Sequence, residues 1–218
     1  MNVLAFDTST PACTVALSVA GTVFIEHEVL PRKQSDYILG FIDRLLLKAS
    51  ILRSELDLLV CGIGPGSFMG TRLAVSVAQG LAFALDKPVL PLSTLQILAQ
   101  SCSHSQVLAG WDARMGQIYV GQYLRDVNGI MHSSCDDYII DPSCLVVDSA
   151  EEWVAVGNAW SVYRESIPLT VSSKWRSCDS NLYPHASAMI AIAQESSSDC
   201  YVSAESLQPI YLRDAVSS

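Results

Sequence analysis

Charged side chains are scarce in this chain of 218 residues. Asp, Glu, Lys and Arg make up 16% of the sequence, against about 25% in an average soluble domain. Hydrophobic residues reach 50% and the mean hydropathy is +0.31. This apolar content is enough to form a core, which excludes a disordered chain. A folded chain with so few charges exposes apolar surface to solvent, and we expect a partner or a second copy of the chain to cover part of that surface.

Positive charge is the scarcer sign. The chain has 13 Lys and Arg against 22 Asp and Glu, which gives a net charge of −9. Proteins hold nucleic-acid phosphates with clustered Lys and Arg. We therefore expect no direct contact with nucleic acid, and any link to RNA is predicted to be indirect.

Paired cysteine and histidine motifs are missing. The seven cysteines form no C-x-x-C pair, and their odd number argues against a disulfide framework and fits a reducing cytoplasm. The four histidines form no H-x-x-x-H or H-x-E pair, so we predict no sequence-local metal site and no cofactor. The N-terminus lacks the basic segment of a signal peptide, and no apolar run nears the ~20 residues of a membrane span. The sequence thus predicts a cytoplasmic protein without a membrane segment.

What the sequence does contain is a glycine-dense turn from Gly62 to Arg72, GIGPGSFMGTR. An apolar run at 56–61 before it predicts a buried strand, and the run at 71–85 after it predicts a helix. Glycine lets the backbone take positive φ and lets another group approach closely, so the turn suits either an anion at the helix N-terminus or tight packing of the helix on its neighbours. No Lys follows the glycines, so the turn does not match a P-loop. Ser67 stands where a dinucleotide-binding fingerprint has its third glycine, so the turn does not match that motif either. The spacing favours packing over anion binding and leaves both open.

The first half of the chain predicts a three-stranded meander, at 3–7, 13–19 and 22–30, followed by a helix at 35–50. Asp7 ends the first strand and is followed by the hydroxyls of Thr8, Ser9 and Thr10. A carboxylate in this position can hold a metal-bound nucleotide or cap a turn.

Two helices offer a partner interface. In the helix at 35–50, apolar residues at helical spacing predict a core stripe, whereas Tyr37 and Phe41 fall beside it, next to Arg44. Large aromatics beside charges are typical of protein interfaces, although burial against a loop would give the same pattern. Small residues line one face of the helix at 71–85 and let another helix approach. The candidate interface residues are Tyr37, Phe41, Arg44, Arg72, Ser76 and Phe83.

The second half repeats the order of the first, with strands predicted at 107–111, 117–125, 138–140 and 153–156 and a last helix at 184–194. Asp112 ends its strand as Asp7 does. The sequence therefore predicts an α/β protein of two units, at 1–103 and 104–218, each built on one duplicated βββαβα plan.

Four segments resemble the TsaB (YeaZ) family, and the resemblance spans nearly the whole chain. They are Asp7 to Thr10, Gly64 to Phe68 with Gly70 and Arg72, Asp112 to Tyr119, and Pro209 to Arg213. The resemblance implies an actin-like (ASKHA) fold of two lobes and a place in the bacterial machinery that makes threonylcarbamoyladenosine (t6A) in tRNAs that read ANN codons. In that machinery TsaD transfers the threonylcarbamoyl group from an adenylate made by TsaC, and TsaE is a third subunit. The family implies a non-catalytic subunit that binds and activates TsaD and forms a homodimer when alone.

A competing hypothesis is an actin-like, nucleotide-dependent phosphotransferase or ATPase. It would bind its nucleotide at Asp7, Thr8, Gly64, Gly66 and Asp112. In a non-catalytic subunit the same residues would form a vestigial nucleotide site or a structural turn. An actin-like nucleotide site normally needs glycine near the first Asp, where this chain has Thr8 and Ser9. The chain also departs from the family pattern Arg-x-His-Ser-Glu, since it has Gln34 and Asp36 in place of His and Glu. That departure affects the side-chain details of the partner contacts.

Overall fold

The computed structural model describes residues 1–147 and 152–213. Its strands are β1 (Val3–Asp7), β2 (Ala12–Val19), β3 (Thr22–Val29), β4 (Leu58–Gly62), β5 (Val89–Leu92), β6 (Gln106–Arg114), β7 (Gln117–Arg125), β8 (Met131–Ser133), β9 (Tyr138–Ile140), β10 (Trp153–Val156) and β11 (Trp175–Asp179). Its α-helices are α1 (Gln34–Ala49), α2 (Phe68–Leu85), α3 (Thr94–Gln100), α4 (Ala159–Val162), α5 (Leu169–Ser172) and α6 (Ala186–Glu195). Short 3₁₀ turns lie at Arg53–Glu55, Pro142–Cys144 and Ser198–Cys200.

The strands form two mixed sheets with the same plan. The first has the order β3-β2-β1-β4-β5 and the second β8-β7-β6-β10-β11, with β9 also paired to β7. In each sheet the early strands are antiparallel neighbours and the later ones run parallel to the central strand. The predicted meander and the duplicated plan are confirmed.

One difference between the units concerns helix α1. In the described residues of the second unit, the counterpart of the long helix α1 is a short 3₁₀ turn at Pro142–Cys144. Strand β11 was not predicted from the sequence, because this edge strand is mostly exposed and its residues, Trp175–Asp179, carry no apolar pattern.

The helices cover four sheet faces and cross between the units. α1 and α2 pack on one face of the first sheet, and α4 packs on the outer face of the second. Between the sheets, α6 supplies Met189 and Ile190 against Val3 and Val60 of the first sheet, while α3 packs on the second sheet through Leu98. Each sheet is therefore completed by a helix from the other half of the chain, and the boundary at 103/104 stays a prediction.

By length and composition alone, α2 is apolar enough to cross a membrane, and a third of its residues are buried in the protein. It connects β4 and β5, which are adjacent parallel strands of one sheet. Such a crossover helix lies along the sheet, so α2 is part of the globular fold and carries an unusually apolar outer side.

Candidate functional site

Asp7, at the end of β1, is fully buried. Its Oδ1 accepts a hydrogen bond from the Ser9 amide at 2.8 Å, and its Oδ2 accepts one from the Thr94 hydroxyl at 2.9 Å. A Cβ on Gly62 would lie 1.8 Å from Oδ2. Burial raises the pKa of the Asp7 carboxyl, and the hydrogen bonds from Ser9 and Thr94 oppose that shift. The carboxyl joins β1 to α3 inside the protein.

The glycine turn packs directly on the segment that follows Asp7. The Ser67 amide donates to the Ser9 carbonyl at 2.7 Å, and the Thr8 hydroxyl donates to the Gly70 carbonyl at 2.7 Å. A Cβ on Gly66 would lie 2.4 Å from the Ser9 carbonyl oxygen, and one on Gly70 would lie 2.0 Å from that of Thr8. Close approach of the two segments therefore requires glycine at both positions. The contacts support the packing interpretation of the turn.

Gly64 has a different role in the turn. Its φ is +90°, a conformation that favours glycine, and its carbonyl accepts a hydrogen bond from the Thr94 amide at 2.8 Å. A Cβ would also lie 3.3 Å from the Ile210 carbonyl oxygen. Gly64 thus brings the turn against both α3 and the segment near the end of the described chain.

Asp112, at the end of β6, is the counterpart of Asp7 in the second sheet. Its Oδ1 accepts hydrogen bonds from the Tyr163 hydroxyl at 2.9 Å and from the Arg114 amide at 2.8 Å. Its Oδ2 forms an ion pair with the Arg114 guanidinium at 3.1 Å. Within the described residues, Asp7 and Asp112 share no hydrogen-bond partner. No group of three or more His, Cys, Asp or Glu side chains that could hold a metal ion occurs in 1–147 and 152–213.

The prediction that Phe41 stands away from the core is wrong. Phe41 is 0% exposed and packs in the same core cluster as Ile38 and Leu45. Positions 38, 41, 42 and 45 follow the i, i+3, i+4, i+7 spacing of a buried helix face, and α1 lies over both β2 and β3, so the buried arc is wide enough to include position 41. A charge at Phe41 would disrupt the fold before it tested an interface.

Tyr37 and Arg44 lie at the edge of this buried arc. Tyr37 is 37% exposed, and its ring contacts the edge of Phe41 with the centroids 5.9 Å apart. The Arg44 guanidinium lies 4.7 Å from the Phe41 ring centroid and pairs with Glu26 of β3 at 3.3 Å. Arg44 therefore links α1 to β3, and Tyr37 lies partly exposed beside the buried face of α1.

The outer side of α2 is open to solvent and mostly apolar. Phe68 is 54% exposed, Met69 75% and Phe83 76%; Arg72 and Ser76, which lie between them, are also exposed. We call these five residues the α2 outer face. Arg72, Ser76 and Phe83 were predicted from the sequence, whereas Phe68 and Met69 were missed because they were assigned to the turn before the helix. Their position just ahead of the apolar helical run was the signal that could have found them.

One end of the α2 outer face is held by residues 211–213, near the end of the described chain, which we call the strap. The Arg72 guanidinium lies 3.8 Å from the Phe68 ring centroid, and its Nε donates to the Tyr211 hydroxyl at 2.7 Å. Two residues further on, Arg213 donates to the side chain of Gln117 at 2.7 Å. The strap thus connects α2 in the first unit to the β6–β7 turn in the second.

Comparison with known proteins gives the family. Residues 25–216 match the family model described as TsaD: tRNA N6-adenosine threonylcarbamoyltransferase. The tRNA threonylcarbamoyladenosine biosynthesis protein TsaB of Escherichia coli (strain K12) is 36% identical over 99% of this chain and 96% of its own length. The protein of the same name from Haemophilus influenzae is 31% identical over 99% of this chain and 95% of its own.

Solved structures agree with these relatives. YeaZ from Pseudomonas aeruginosa superimposes with a TM-score of 0.91 at 36% identity, over 97% of this chain and 99% of its own. The fold is therefore the actin-like (ASKHA) fold of two lobes that the resemblance implied. Since the likeness extends over nearly the full length in both sequence and structure, the chain belongs to the TsaB (YeaZ) family of tRNA threonylcarbamoyladenosine biosynthesis proteins.

Proposed function

We propose that this protein is a non-catalytic, cytoplasmic subunit that binds a TsaD partner through the outer sides of α1 and α2 and activates it in t6A formation. The observation that carries the proposal is the α2 outer face. An 18-residue helix with two exposed phenylalanines and an exposed methionine is typical of a surface that a partner covers.

The energetics of this face fit a helix partner. Full burial of a phenylalanine side chain stabilises a complex by roughly 1.5 to 3 kcal/mol. A Cβ on Gly80, also exposed on α2, would have no atom within 4 Å, so a partner helix can approach the backbone there. Leu39 and Leu47 of α1 are exposed as well and extend the apolar surface on the same side of the first sheet. We propose that the free protein forms its homodimer through the same surface and that TsaE joins the complex with TsaD.

The surroundings of Asp7 support a non-catalytic role. The carboxylate is buried, both of its oxygens accept hydrogen bonds from the protein, and the backbone of the Thr8–Ser9 segment fills the approach to the glycine turn. A phosphotransferase or ATPase would need these groups to face a nucleotide. We therefore expect the purified chain to show no ATP turnover, and turnover that Asp7→Ala abolishes would favour the competing hypothesis.

The proposal is tested with Phe83→Glu. The glutamate removes the apolar contact and brings an uncompensated charge to the interface, so the affinity for TsaD, measured by calorimetry, should fall by a factor of ten or more. The homodimer should weaken in sedimentation experiments, and t6A formation by the reconstituted enzymes should fall with it.

Leu169→Glu is the matched control. Leu169 begins α5 in the second unit and is 82% exposed, so the same charge is introduced on a similarly exposed apolar residue away from α1 and α2. Both variants should keep the circular dichroism spectrum of the original protein. Unchanged TsaD affinity for Phe83→Glu, or an equal loss for Leu169→Glu, would show that the interface lies elsewhere.

A further inference from the structure

Cys102 contacts an imidazole just beyond the C-terminus of α3. Its Sγ lies 3.4 Å from Nδ1 of His104. In the part of the chain that the structure describes, no other cysteine sulfur has an imidazole nitrogen as a hydrogen-bond partner; Cys178, for comparison, contacts the hydroxyl of Ser180 at 3.5 Å. The His104 ring can therefore accept the thiol proton of Cys102.

Arg125 of β7 fixes the segment that carries this pair. Its guanidinium donates to the carbonyl of Cys102 and, through Nε, to the carbonyl of His104 at 3.1 Å. The two residues are thus held at both ends by one cation. A partly exposed thiol in contact with an imidazole combines access for a reagent with a neighbouring base, two features of reactive cysteines.

A cavity lies beside the pair. It has a volume of about 360 Å³ and is lined by Cys102, His104, Val154, Val156 and Cys178, among others. This volume is about ten times the ~30 Å³ that one water occupies in the liquid. A small organic group attached to Cys102 would therefore fit between the end of α3 and strands β10 and β11.

We propose that Cys102 is a modification site that reacts with low-molecular-weight disulfides. The thiol gives its proton to His104, and the thiolate attacks one sulfur of the disulfide. The disulfide bond of the reagent breaks, a new bond forms to Cys102, and the other half of the reagent leaves as a thiolate with the electron pair. Cys102 is oxidised to a mixed disulfide and half of the reagent is reduced; the leaving thiolate takes the proton that His104 accepted and departs as a thiol.

Exposure and chemistry predict opposite orders of reactivity. Cys102 is only partly exposed, whereas Cys135, Cys144, Cys178 and Cys200 are exposed. If access alone set the rate, Cys102 would react more slowly than these four. If the imidazole sets the rate, Cys102 reacts first, about five- to tenfold faster than the exposed thiols.

The experiment treats the whole protein with a small amount of dithiodipyridine for short times, quenches it with acid and measures each cysteine-containing peptide by mass spectrometry. We expect Cys102 to be modified first and His104→Gln to slow it at least fivefold, with the rates at the other cysteines unchanged. Cys178 controls for the cavity, since it lines the same space without an imidazole partner, and Cys135 controls for exposure. The proposal is overturned if Cys102 in the unchanged protein reacts no faster than Cys135 and Cys178, or if His104→Gln leaves its rate as it was.

Discussion

At the scale of single residues, Asp7 shows how its surroundings change the chemistry of a carboxylate. Burial raises the pKa of Asp7, while the hydrogen bonds from Ser9 and Thr94 work in the opposite direction. The first effect is the larger, so the ionised carboxyl is less stable in the folded protein than in water.

Asp7→Asn tests this balance. Asparagine keeps an acceptor for the Ser9 amide, its own amide can donate to the Thr94 oxygen, and it has no charge to desolvate. The folded pKa of Asp7 lies above the unfolded one, so between the two values the folded protein binds more protons and its stability falls as pH rises. Relative to the unchanged protein, the variant should therefore gain stability as the pH rises above about 4, the ordinary pKa of an aspartate, as measured by urea unfolding.

Asp126 provides a control of opposite sign. Hydrogen bonds, first from the Ile130 amide and then from His132, lower the pKa of its carboxyl. The stability it contributes is present above its unfolded pKa and is lost as pH falls through the folded one. Asp126→Asn should thus be less stable than the unchanged protein at neutral pH and equal to it in acid. If both substitutions change the stability at neutral pH in the same direction, burial is not the dominant effect on the Asp7 carboxyl.

At the scale of elements, α2 contains two glycines with opposite surroundings. A Cβ on Gly70 would lie 2.0 Å from the Thr8 carbonyl oxygen, whereas one on Gly80 would lie in open space. Alanine in a helix is favoured over glycine by about 0.5 to 1 kcal/mol. The sign of each substitution therefore depends on the packing alone.

We expect Gly80→Ala to raise the free energy of unfolding by about 0.5 to 1 kcal/mol and Gly70→Ala to lower it by about 1 to 3 kcal/mol. Urea unfolding at low protein concentration measures both. Equal stability of the two variants would mean that the Thr8–Ser9 segment does not pack on α2 as tightly as the structure shows.

At the scale of the whole molecule, the two units depend on each other through exchanged helices. α6 covers the face of the first sheet that carries Val3, Val60 and Leu90, and α3 packs on the second sheet through Leu95 and Leu98. The hydrogen bond from the Ala186 amide to the Thr14 hydroxyl, at 2.9 Å, joins residues that are 172 positions apart. Neither half can bury both faces of its own sheet.

The fragment 1–103 should therefore not fold by itself, because the face that α6 covers would be exposed to water. Co-expression with 104–218 should restore a soluble complex with the circular dichroism spectrum of the intact chain. Gel filtration and thermal unfolding of each fragment, alone and together, provide the measurement. A cooperative unfolding transition for 1–103 alone would show that the exchanged helix is dispensable.

Local sequence patterns predict the elements that lie in the core. The buried strands β1 and β4, the helices α1 and α2 and the glycine turn all carry strong local patterns, since apolar residues recur with the period of the element that buries them. The polar edge strand β11 carried no such pattern. Phe41 was misassigned because the stripe on α1 is wider than the spacing first chosen for it.

Which side chains meet depends on the tertiary packing. Periodicity reports that a residue is buried, but it does not say which neighbour buries it. The bond between Thr94 and Asp7 spans 87 positions, and the contact of Arg72 with Tyr211 spans 139. The burial of Asp7, the exchange of α3 and α6 and the open outer face of α2 depend on such long-range contacts. They follow from how the sheets and helices pack, because each needs groups from distant parts of the chain to be brought together.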